Sequence, residues 1–71
     1  MIETLQDVEL FIATLENTNM LWHADDSVDD IPSFANLSSA QRTWMQESMN
    51  TAIEVCEREG KSVFEYYNLE D

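Results

Sequence analysis

Apolar residues recur along the first quarter of the chain with helical spacing. Leu5, Val8, Ile12 and Leu15 follow at intervals of three, four and three, which places them on one narrow stripe of an α-helix. Leu10, Phe11 and Met20 widen that stripe, and the pattern predicts a helix over about 5–22. Thr4 is suited to cap its start, with Asp7 three residues on to complement the positive helix end. Asn17, Thr18 and Asn19 are poor helix formers, so the end is expected to fray or break there.

The periodicity then stops. Over 25–37, Asp25, Asp26, Ser27, Asp29, Asp30, Pro32, Ser33 and Asn36 disfavour continued helix, and Ile31 before the proline is pushed towards extended backbone. A connector of this length is uncommon unless it is functional or folded back on its own apolar residues. Val28, Ile31, Phe34 and Leu37 are placed to anchor it.

A second helix is predicted over about 39–59. Ser38 and Gln41 form a capping box at its start, and Gly60 suits the left-handed position just past its end. Met45, Met49, Ala52 and Cys56 repeat at four, three and four, flanked by Trp44 and Ile53. Ser62 and Glu65 form another capping-box pattern, which opens a short helix over about 63–69 carrying Phe64, Tyr66, Tyr67 and Leu69.

These elements predict an all-α fold in a single domain, 1–71: an antiparallel helical hairpin plus a short C-terminal helix. Trp22, Trp44, Phe11, Phe34 and the tyrosine pair are more aromatic surface than one hairpin easily hides. A homodimer forming a four-helix arrangement is therefore expected.

Charge changes the picture most. The 71 residues hold 15 Asp and Glu against 3 Lys and Arg, for a net charge of -12. Such a balance argues against an autonomous role in binding nucleic acid or an anionic membrane, each of which needs a basic surface. One Cys rules out an internal disulfide framework and a Cys-rich zinc fold, and one Gly with one Pro argues against a many-turned β architecture. No basic residue precedes Arg42, so a signal peptide's charged start is missing, and Asn36-Leu37-Ser38 is a glycosylation sequon without a secretory context. A cytoplasmic location and a complete small reading frame are expected.

The acids are unevenly spread. Residues 1–41 contain Glu3, Asp7, Glu9, Glu16, Asp25, Asp26, Asp29 and Asp30 and no Lys or Arg. An ordinary solvated helix mixes both signs in stabilising pairs. One reading is solubility. The other is a docking surface for a basic partner, with carboxylates on a rigid scaffold standing in for backbone phosphates. In general character, though by no motif, this is similar to phage and mobile-element accessory proteins that act as DNA mimics. The expected function is to bind and inhibit or regulate a basic, nucleic-acid-binding protein.

Other chemistry is thinly represented. Asp25, Ser27 and Asp29 resemble the first ligands of an EF-hand calcium loop. Asp30 stands where that family has its turn glycine, and Asn36 where it has its closing glutamate. A calcium sensor is therefore not expected. His23 and Cys56 are too few for a zinc site; His23 reads as a helix-boundary residue and Cys56 as a buried small hydrophobe. No catalytic constellation, metal or cofactor is expected, and the chain is not read as an enzyme. Met20, Met45 and Met49 read first as core, with Trp44 the exception that reaches a partner. The alternative function is an assembly module, dimeric, that binds a partner helix through an apolar face carrying Trp44, Met45, Met49 and Phe64.

Overall fold

Thr4 and Ser38 start the two long helices as their sequences require. The Thr4 hydroxyl accepts from the Asp7 N–H while Asp7 accepts from the Thr4 N–H, and helix α1 follows over Leu5–Asn17. Ser38 and Gln41 make the same reciprocal exchange ahead of α2, Ser39–Arg58. The structure is a computed structural model and describes residues 2–66. Among these it is mostly helical, with two α-helices and no strand.

Both helices stop in the same way. The Lys61 N–H donates to the Cys56 carbonyl at 2.8 Å and the Gly60 N–H to Glu57 at 3.1 Å, with Gly60 at φ 73°. At α1 the Met20 N–H donates to Leu15 at 2.8 Å and the Asn19 N–H to Glu16 at 3.3 Å, with Asn19 at φ 57°. This is the Schellman arrangement, and Asn is one of the few residues besides Gly that enters the left-handed region readily. The helix expected over about 5–22 therefore ends at Asn17, at the break that Asn17, Thr18 and Asn19 predict. The second helix ends at Arg58, one residue before its expected limit.

The connector is built from two single 3-10 turns, Val28–Asp30 and Pro32–Phe34. It folds back as its apolar residues predict: Val28 and Phe34 are buried, while Ile31 and Leu37 are partly buried against them. Trp22 meets Phe34 edge to face, with ring centroids 6.0 Å apart, and its indole N–H donates to the Asp26 carbonyl at 3.2 Å. From α2, the Gln46 side chain accepts the Val28 N–H at 2.8 Å. After Gly60 a third 3-10 turn covers Val63–Tyr66, where an α-helix to about 69 was expected. The Ser62 hydroxyl accepts the Phe64 N–H at 3.3 Å, one residue earlier than a capping box would. Tyr67 and Leu69 of that expected helix lie outside the described residues.

One core joins these pieces. Val8, Ile12 and Leu15 of α1 are buried with Met45, Met49, Ala52 and Cys56 of α2, so both predicted stripes face inward. Leu10 departs from its expected place on the stripe and is 60% exposed. It lies two residues from both Val8 and Ile12, and a helix turns it about 200° away from each. At one end, the Arg58 guanidinium donates to the Glu3 carbonyl at 2.7 Å; farther along, Phe11 meets Trp44. No helix among the described residues is long and apolar enough to cross a membrane.

Candidate interaction surface

The expected contact carboxylates divide into committed and solvent-facing groups. Asp7 is committed. Its Oδ2 accepts the Glu3 N–H at 3.0 Å and the Thr4 N–H at 3.1 Å. The bond from Glu3, then that from Thr4, holds the carboxyl below its usual value despite some loss of hydration. A lowered folded-state value means that the stabilisation is present above the ordinary aspartate range and lost as pH falls through the depressed value. Asp7→Asn is therefore expected to melt lower than the parent at neutral pH, and the gap should narrow in acid. Melting temperatures across an acid pH series test this; a gap independent of pH would show that the charge is not what matters.

The connector aspartates are exposed on an anchored frame. Asp25 lies 3.6 Å from Nδ1 of His23, whose ring sits against Phe64 with centroids 4.9 Å apart. Asp29 lies 3.6 Å from the Arg42 guanidinium. Asp26 offers its backbone carbonyl to Trp22 and leaves its side chain at the surface, and Asp30 is exposed as well. Pairs as open as these contribute little to stability, so the Asp side chains are held out by the turns beneath them, not by ionic contacts.

The α1 acids occupy a different region. Glu9 and Glu16 border a shallow hollow with Glu65 and Tyr66 from the third 3-10 turn. Burial and the nearby Cys56, Glu65 and Glu9 push the Tyr66 phenol above its usual value. Glu3 is exposed just before α1. None of the connector aspartates lines that hollow. Among the described residues no three His, Cys, Asp or Glu side chains come together as ligands of one metal ion. Cys56 is buried and free, its thiol pushed up by burial and by the charge of Glu65.

An apolar groove runs between α1 and α2. Ile2, Leu10, Phe11 and Thr14 line one side; Trp44, Glu47, Ser48 and Thr51 line the other, around a volume of about 610 Å³. Trp44 is 54% exposed and meets Phe11 edge to face at 5.9 Å. Met45 and Met49 are fully buried, so they cannot belong to a partner-binding face; Phe64 is 42% exposed on another side, against His23. Leu10 is the surface residue that the stripe pattern concealed. Its helical angle was the available signal.

No protein-family model, curated protein or solved structure matches the chain.

Proposed function

We propose that the chain is a cytoplasmic, acidic helical interaction module that binds a basic, nucleic-acid-binding protein and inhibits or regulates it by contact rather than catalysis. One observation carries this reading. The connector is tied down at Trp22, Val28 and Phe34, and this frame presents Asp25, Asp26, Asp29 and Asp30 to solvent. Holding four carboxylates in place before binding lowers the ordering cost of engaging a basic surface. Glu3, Glu9 and Glu16 add further negative charge outside the connector. The Arg58–Glu3 and Phe11–Trp44 contacts favour an antiparallel hairpin as the scaffold.

The test uses the immobilised protein and an extract of its source cells, with elution by a salt gradient. Nucleic-acid-binding proteins should be released by a few tenths molar salt, be competed off by duplex DNA, and fail to bind the Asp25/Asp26/Asp29/Asp30→Asn variant. A partner retained through high salt and indifferent to that variant would overturn the reading.

A second reading is favoured by the exposure of Leu10 and Trp44. In it the chain is a dimeric assembly module that binds a partner helix through its apolar face, and the acids serve solubility. The burial of Trp22, Phe34 and Phe11 within one chain removes much of the aromatic surplus that called for a dimer.

A further inference from the structure

We propose that the groove between α1 and α2 docks a basic amphipathic helix of the partner protein. This rests on the reading of the chain as an acidic binder of a basic protein, and it names the segment that is bound. The apolar groove residues supply the anchor sites. Leu10 and Trp44 stand open to solvent, while Phe11 lies between them against the Trp44 ring. Thr14, Ser48 and Thr51 are small, which leaves room beside them for larger apolar side chains. From Trp44 to Thr51 the groove follows seven helical rises of α2, about 10 Å, or two turns. That length suits apolar anchors at i, i+3 or i+4, and i+7 of a docked helix.

Charge selects among the possible occupants. No Lys or Arg lines the groove, and Glu47 puts a negative charge on its rim. Arg42 lies beside Asp29 and Lys61 borders a separate hollow with Phe64, while Arg58 reaches the Glu3 carbonyl and Glu59. A second copy would bring another net charge of -12 to this acidic rim. An anionic membrane would be repelled in the same way. A helix with Lys or Arg flanking an apolar face complements both the floor and the rim.

The probe is a synthetic 14-residue peptide of Leu and Lys with its leucines on one helical face, compared with a shuffled peptide of the same composition that has no apolar face. The full chain, labelled with nitrogen-15, is titrated with each. The amphipathic peptide should shift the amides of Leu10, Thr14 and Thr51 and the indole N–H of Trp44. It should bind about tenfold or more tightly than the shuffled one, the scale set by losing central apolar anchors. Leu10→Ser/Trp44→Ser should abolish that preference. Thr14→Lys, a change at an exposed site that places a cation in the groove, should abolish it too. Equal binding of the two peptides, with shifts confined to Asp25–Asp30, would overturn the groove proposal and leave the acidic-docking reading standing. Failure of both peptides to bind would sink the two together. Shifts at the groove that grow with protein concentration before any peptide is added would assign it to a second copy instead.

Discussion

Trp22→Ala is expected to leave the chain largely unfolded in water. Truncating a buried Trp costs about 3–5 kcal/mol. A single core in a chain below about 70–80 residues rarely supplies more than that. Here the loss spreads beyond one cavity. The ring packs on Phe34, its N–H satisfies the Asp26 carbonyl, and together these hold the connector to the core. Trp22→Phe keeps a ring against Phe34 and loses the hydrogen bond and part of the indole's volume, at about 1–3 kcal/mol. Urea denaturation followed by far-ultraviolet circular dichroism separates the two. If the alanine variant unfolds at the urea concentration of the parent, the connector is not part of the cooperative core. The outcome bears on function, because the same residue fixes the frame from which Asp25, Asp26, Asp29 and Asp30 project.

Ile12→Ala is expected to cost about 2–5 kcal/mol, whereas Leu10→Ala, two residues away, stays within about 0.5 kcal/mol of the parent. Ile12 is 0% exposed and Leu10 is 60% exposed, so one substitution opens a cavity and the other trims surface. Thermal melts of the two variants under identical conditions test the contrast. Similar losses would mean that the Leu10 face is covered in solution. That result would assign the groove to a second copy of the chain.

These two leucine-class positions also show what the sequence could reveal. Spacing alone identified Leu5, Val8, Ile12 and Leu15 as one stripe, of which Leu5 is only partly buried, and Met45, Met49, Ala52 and Cys56 as its buried counterpart. The cap residues were equally plain, because Thr4 with Asp7 and Ser38 with Gln41 satisfy orphan helix donors by local geometry. The end of α1 was legible in part: Asn17, Thr18 and Asn19 marked the break that the structure shows, while the apolar pattern ran past it. Met20 and Trp22 extend the apolar pattern, but Asn19 turns left-handed and carries both residues into the connector packing. Apolar periodicity does not distinguish a helix that continues from a loop that returns to the same core. For the candidate surface, the exposed carboxylates and Trp44 could be read from composition and position. The groove could not, since it depends on how α1 and α2 approach one another, and Leu10 was hidden among its apolar neighbours. The commitment of Asp7 to the helix cap was partly visible in its spacing from Thr4; its additional bond from the Glu3 N–H was not.

The lone thiol offers a clock. Cys56 is enclosed among core residues and held protonated by its surroundings, so an alkylating reagent reaches a reactive thiolate only when the molecule opens. Its labelling rate therefore counts excursions from the native state, one molecule at a time and without added denaturant. Because no other cysteine competes, the count can be made by mass alone on the untagged chain. A partner that clasps the folded form will slow that clock, wherever on the surface it sits.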